Sequence, residues 1–78
     1  MSRPLPRREL LVLQALAKRK GKTVLRSTLE DAVYNYQEEI QSNALDAHIS
    51  RLRKRLADAN AGVAIHSIRG VGYLLREE

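Results

Sequence analysis

Apolar positions near the start of the chain recur at helical intervals. Leu10, Leu13, Leu16 and Ala17 would share one face of a helix over residues 6–20. Pro6 suits a first turn, where its missing N–H costs nothing. Glu9 lies at the electropositive end of such a helix, and Lys18, Arg19 and Lys20 lie at the other. Gly21 follows as a C-cap residue. The short run Lys22-Thr23-Val24-Leu25 is partly β-branched and predicts a brief strand. Ser27-Thr28-Leu29-Glu30 reads as a capping box, in which Ser27 covers the Glu30 N–H and Glu30 reaches back to Ser27. A second helix therefore starts at Ser27, buries Leu29, Ala32 and Val33, and ends near Tyr34 or Tyr36.

Residues 35–41 are polar and acidic and read as a loop. Ser42 or Asn43 then caps a third helix, with Asp46 at the third helical position if Asn43 is the cap. That helix runs to about Ala59, and Asn60-Ala61-Gly62 stops it. Leu45, Ile49, Leu52 and Leu56 form one apolar stripe. The opposite side carries Asn43, Ala44, Ala47, Ser50, Arg51, Lys54 and Arg55, with His48 and Arg53 flanking the stripe. This outward face is small near its start and cationic further along. Such a face can lie in a DNA major groove with its small residues close to the base edges. It is equally the face of a solvated surface helix built from good helix formers. The last segment reads as a β-hairpin. Gly70-Val71 as a two-residue type II′ loop would pair Ile68 with Tyr73 and Arg69 with Gly72.

Length, charge and residue usage narrow the partners. The 78 residues make one domain, without a repeat or a linker. A chain of this size buries only roughly 60–65% of its unfolded surface, so its stability is modest. With no cysteine there is no disulfide or thiolate metal site, which suits a cytoplasmic location. The longest apolar run, Leu10-Leu11-Val12-Leu13, is far too short to span a membrane. The net charge of +5 is segregated. Residues 1–26 hold eight basic groups against Glu9, a local +7. Residues 27–46 hold five acids and no base, a local −5. Residues 47–76 hold six bases against Asp58, again +5. Separated basic blocks point to a polyanion, most often nucleic acid.

Catalytic readings fail on geometry. Gly70-Val71-Gly72 lacks a third glycine and leads into an apolar strand-like run, whereas a phosphate loop needs a helix N-terminus. Asp46, His48 and Ser50 are spaced two apart on a helix and do not face one another. His66 and Ser67 fall on opposite faces of a strand, away from any use with Asp58. No acid stands three or four residues from either histidine, so no metal site is expected. The chain is read as no enzyme, with no cofactor. Tyr34, Tyr36 and Tyr73 read as half-buried packing residues with wet hydroxyls, not as stacking platforms.

Helix, short strand, helix, loop, basic helix and glycine-turn hairpin is the order of a winged helix-turn-helix. The run Ser42 to Leu56 resembles the recognition helix of the OmpR/PhoB-type effector domain of two-component response regulators. Ser67-Ile68-Arg69-Gly70-Val71-Gly72-Tyr73 resembles that family's wing, and Leu5 to Leu13 with Glu9 resembles its first helix. The resemblance implies a mainly α fold of three helices with a C-terminal β-hairpin wing that residues 22–25 join. It implies sequence-specific binding of double-stranded promoter DNA, as tandem protomers on direct repeats, by a domain that is monomeric when free. Helix 42–59 would enter the major groove and wing 64–76 the minor groove. Ala44, Ala47 and Arg51 would then contact bases. Tyr34, Asn43, His48, Ser50, Arg53, Ser67 and Tyr73 would hold phosphates, as would the basic Lys54 and Arg55. Arg69 would probe the minor groove. The acidic loop 35–41 resembles a segment that contacts RNA polymerase in some members.

There are departures. Pro6 replaces the family's capping hydroxyl. Asn43 and Ser50 stand where a base is frequent, which weakens the expected phosphate grip. Neither a receiver domain nor the family's N-terminal sheet precedes the first helix, so residues 1–78 are expected to be a single-domain fragment with one side of that helix poorly covered. Two other functions compete. One is a protein-interaction winged helix using the acidic region 27–46, and the other is sequence-independent nucleic-acid binding.

Overall fold

The computed structural model describes residues 5–34 and 44–78. Pro6 is extended, with φ −55° and ψ 147°, and acts as the N-cap of helix α1, Arg7–Lys18. Its carbonyl accepts the Leu10 N–H at 2.9 Å. The buried line along α1 is Glu9, Val12 and Leu16, not Leu10, Leu13 and Ala17. Leu10 is 40% exposed, Leu13 is half-buried and Ala17 is exposed. The sequence pattern missed this rotation because it followed the apolar residues alone and gave the charged Glu9 no place on the buried face. The helix ends at Lys18, two residues earlier than expected, and Gly21 turns the chain at φ +84°. There the Gly21 N–H donates to the Leu75 carbonyl at 2.7 Å, fixing the end of α1 against the sheet.

Strand β1, Val24–Leu25, runs straight into helix α2, Arg26–Val33, with Leu25 as the N-cap. The expected capping box does not form, because no side chain caps this helix. The exposed first-turn donor is covered from elsewhere: the Arg26 N–H donates to the Val71 carbonyl at 3.1 Å. Glu30 instead lies 3.9 Å from Arg26 Nε, one helical turn back. Leu29 and Val33 are buried as expected, whereas Ala32 is exposed. The expected loop 35–41, Tyr36 and the caps Ser42 and Asn43 lie outside the described residues.

Helix α3, Ala44–Asp58, buries Leu45, Ile49 and Leu52, with Leu56 half-buried below them. Beyond it, Asn60 at φ 52° and Gly62 at φ 78° reverse the chain. Strands β2, Val63–Ile68, and β3, Gly72–Glu77, form the wing hairpin. β3 is the middle strand of an antiparallel sheet of order β1-β3-β2. The short strand foreseen at residues 22–25 therefore does join the hairpin. The core lies where the three helices meet this sheet, with Val12, Leu16, Leu29, Leu45, Ile49 and Leu52 wholly enclosed and Ile65 and Leu75 closing it.

The hairpin register departs from expectation by one residue. Ser67, not Ile68, pairs with Tyr73, and Ile68 pairs with Gly72. The loop thus has three residues, Arg69-Gly70-Val71, instead of two. The Val71 N–H donates to the Ile68 carbonyl at 2.9 Å, with Gly70 third in that turn at φ 75°. Positive φ at this position belongs to a type II turn. Val71 leaves the ladder because its carbonyl serves α2. Gly72 has a separate constraint: a Cβ there would run into the Val24 carbonyl of β1.

The two wing glycines should therefore fail differently. Gly70→Ala should cost about 1 kcal/mol through φ alone, and Gly70→Asn should recover part of it because Asn tolerates positive φ. Gly72→Ala should cost about 1–3 kcal/mol through overlap, and Gly72→Asn should recover nothing. Urea unfolding of the four variants checks this, and a Gly72→Ala protein as stable as the wild type would contradict it.

Candidate nucleic-acid interface

Both flanks of α3 are tied down. On the side facing α1, the buried carboxylate of Glu9, 2% exposed, accepts from Arg55 Nε at 2.6 Å through Oε1. Its other oxygen, Oε2, lies 3.8 Å from Arg51 Nε. One turn earlier, His48 Nε2 and the Tyr34 hydroxyl are hydrogen-bonded at 3.1 Å. Arg8 covers this pair: its guanidinium sits 4.5 Å from the Tyr34 ring centre, and it donates to the Val33 carbonyl at 3.2 Å. Burial first, then the Arg51 and Arg8 cations, hold His48 below its usual 6.5, against an opposing pull from Glu9.

On the side facing the sheet, Asp46 gathers two donors on Oδ1. Arg26 Nη1 donates at 2.7 Å and the Tyr73 hydroxyl at 2.6 Å. Arg26 chiefly, and Tyr73 next, keep the Asp46 carboxyl below its ordinary range. Burial and then this hydrogen bond raise Tyr73 above its own. Further along, Arg53 bridges to the wing. Its Nε donates to the Ile65 carbonyl at 3.1 Å and its Nη2 to Ser67 Oγ at 2.9 Å.

Between these flanks runs a ridge pointing outward: Ala47, half-buried, then Ser50, Arg51 and Lys54, all exposed. The Arg51 side chain is 57% exposed. The wing rises beside the start of this ridge, because Tyr73 at the base of the loop is bonded to Asp46 in the first turn of α3. Arg69 is exposed at the wing tip. It borders a shallow cleft of about 330 Å³ that Arg26, Ser67 and Tyr73 also line. The result is a convex cationic edge: a helix with small and basic residues outward, and a narrow hairpin carrying one arginine. Among the described residues no three acids or histidines gather as metal ligands, and no helix is long and apolar enough to cross a membrane.

Comparison with known proteins agrees with this shape. Residues 2–75 match the family model described as "Transcriptional regulatory protein, C terminal". The chain belongs to this family. The chain is similar to the probable transcriptional regulatory protein y4xI of Sinorhizobium fredii, 45% identical over 69 residues that make up 88% of this chain and 30% of the relative. The heme response regulator HssR of Staphylococcus saprophyticus is 38% identical over 69 residues, 88% of this chain and 31% of the relative. The chain thus spans about a third of the length of these curated relatives. Among solved structures, the DNA-binding domain of the response regulator AdeR, in complex with an intercistronic region, superposes with a TM-score of 0.81 at 26% identity. That match covers 95% of this chain and 74% of that one. The C-terminal domain of the nisin resistance regulator NsrR gives 0.76 at 31% identity, over 91% of this chain and 71% of that one. The fold is the winged helix of response-regulator effector domains, a family of transcriptional regulators and not of enzymes.

Within this effector domain the structure sorts the residues singled out from sequence. Ala47, Ser50, Arg51 and Lys54 share the outward ridge, and Arg69 stands on the neighbouring wing. Ala44 is half-buried and packs against the core, so it sits lower on the helix than an outward face requires. Arg55 was also placed on that outward face; it lies on the α1 flank because Glu9 draws it there. Tyr34 meets His48, and Arg53 meets Ser67, as two ready-made pairs. Tyr34 and Tyr73 are 8% and 9% exposed, so neither is the half-buried residue with a wet hydroxyl that the sequence implied. The single Tyr73 O–H already serves Asp46 and would have to leave it to meet a phosphate. Asn43 lies outside the described residues. Three contributors had another reading or none in the sequence: Glu9, read at a helix dipole, Asp46, read at a capping position, and Arg26, which pairs with Asp46. Only Glu9 carried a signal, a lone acid among eight bases.

The His48 setting has a measurable consequence. Unfolded histidine titrates near 6.5, and folded His48 titrates lower. Below that pH the unfolded chain binds more protons, so His48 contributes stability at neutral pH that is lost as pH falls through its folded midpoint. An NMR titration should place the midpoint below 6.5 and move it upward in Arg51→Ala. A midpoint at or above 6.5 in the wild type would contradict this account.

Proposed function

We propose that the chain binds double-stranded DNA in a sequence-specific manner, as the effector domain of a two-component transcriptional regulator. The observation that carries this reading is the contrast between α3's flanks and its ridge. Asp46, His48, Arg53 and Arg55 on the flanks are each hydrogen-bonded within the protein, whereas Ser50 and Lys54, and Arg51 with only a 3.8 Å contact to Glu9, project outward beside a wing tipped by Arg69. Small residues between basic ones let a helix approach base edges while cations meet phosphates. The α3 ridge enters the major groove, and Arg69 reaches the adjacent minor groove.

Roles follow from position. Arg51 and Ala47 read bases, with Ala44 at the edge of the contact. Ser50 and Lys54 hold phosphate, as do the paired groups Tyr34–His48 and Arg53–Ser67. Arg55 takes part only through N–H groups that face away from Glu9. Tandem protomers on direct repeats, and a contact of residues 35–41 with RNA polymerase, belong to the same proposal. So does a cytoplasmic setting, where promoter DNA is reached. The −5 segment offers a weaker protein surface than its charge implied, because Asp46 is neutralised by Arg26.

Selection of bound duplexes from a random pool tests this directly. It should return one motif, repeated at a fixed spacing. On that site Arg51→Ala should cost about 1–3 kcal/mol and relax one base position. Lys54→Ala should weaken all sequences alike and lower the slope of log affinity against log salt by about 0.9. No enriched motif would refute sequence-specific binding. Equal losses for Arg51→Ala on selected and random DNA would place Arg51 on the phosphates.

A further inference from the structure

We infer that Glu9, on a helix that need not touch DNA, positions Arg51 for guanine. The inference rests on the reading of Arg51 as a base contact and names the base and the residue that fixes the choice. Glu9 is an unusual side chain for its place: a carboxylate, 3% exposed, facing α3 from α1. It does not wander, because Oε1 is held by Arg55 Nε at 2.6 Å. The second oxygen is thereby aimed along α3 toward Arg51, whose Nε stands 3.8 Å away. These two arginines are one helical turn apart and share one acid.

The geometry of that contact matters. A carboxylate oxygen 3.8 Å from Nε is beyond hydrogen-bond distance and draws the guanidinium by charge at its inner edge. The two terminal nitrogens, Nη1 and Nη2, are left as an end-on fork on a side chain that is 57% exposed. Such a fork matches O6 and N7 of guanine, the commonest specific arginine contact in the major groove. An arginine drawn to one side in this way starts from fewer rotamers and loses less freedom on binding. It also presents two donors and no acceptor, so it does not match the adenine edge, which offers one acceptor and one donor. Glu9 is thus a positioning residue: it acts through Arg51 and does not contact the base.

The test uses the duplex selected by the 78-residue chain and the same duplex with 7-deazaguanine at the position assigned to Arg51, which removes only the N7 acceptor. The ratio of the two affinities cancels any general loss of folding or charge. For the wild type the ratio should be roughly tenfold, and for Arg51→Ala close to one. Glu9→Gln should bring it below about threefold, with binding to random DNA unchanged within about twofold. A ratio in Glu9→Gln equal to wild type would overturn the positioning role while leaving Arg51 as a guanine reader. A ratio in Arg51→Ala equal to wild type would instead overturn the base-reading role beneath it. Should Glu9→Gln fail to fold, the wild-type protein still decides. Its Arg51 Nε–H should give a separate, ordered signal in nitrogen-15 NMR, and a motionally averaged one would refute the inference.

Discussion

A carboxylate enclosed in a small protein core must be paired, and here that demand orders the molecule. Glu9 sits on α1 in line with Val12 and Leu16, inside the same face that meets Leu45, Ile49 and Leu52 of α3. Leaving the ion unpaired would cost several kcal/mol, of the order of the whole stability of a 78-residue domain. Arg55 therefore has to stand where it does, and α3 is fixed in rotation about its own axis relative to α1. Once that rotation is set, the remaining faces of α3 follow. Asp46 and Arg53 turn toward the sheet, and Ala47, Ser50 and Lys54 turn outward. The outward ridge is what remains after the ion pair and the apolar stripe have taken their sides.

The wing is coupled to the same helix by a second polar junction. Asp46 accepts from Arg26 at the start of α2 and from Tyr73 at the start of β3, so three elements meet on one oxygen. The backbone repeats the arrangement, since the Arg26 N–H is covered by the Val71 carbonyl of the wing loop. Helix and hairpin are thus joined at a set offset by short, charge-assisted contacts. The proposed reading of DNA by helix and wing together requires such an offset, because major-groove and minor-groove contacts must be made in register.

Sequence reasoning reached the element order, the α3 stripe and the winged-helix frame, because each depends on local period or turn chemistry. Leu45, Ile49 and Leu52 could be read without knowing any neighbour. It erred where a partner lies far along the chain. Glu9 was placed at a helix dipole when its real partners are Arg51 and Arg55. Ser27 and Glu30 spelled a capping box, but strand β1 feeds directly into α2 and a carbonyl of the wing does the capping. The hairpin slipped by one residue because Gly72 answers to the Val24 carbonyl of a third strand, which no two-strand pattern reveals. The candidate site was legible as a set of exposed types on one helix and one turn. Which arginine is outward and which is anchored was not, since both follow basic-residue spacing equally well.

A stability comparison around Glu9 and Arg55 tests the central claim most directly. Unfolding free energies are to be measured for Glu9→Leu, Arg55→Leu and the double substitution. If the buried pair sets α3 against α1, Arg55→Leu alone strands the carboxylate and is the more damaging change. The double substitution should then be more stable than Arg55→Leu alone, with a coupling of about 2 kcal/mol or more, discounted for Arg55's partial exposure. Strictly additive losses would show that Glu9 and Arg55 act independently, and the account of how α3 acquires its outward ridge would fail.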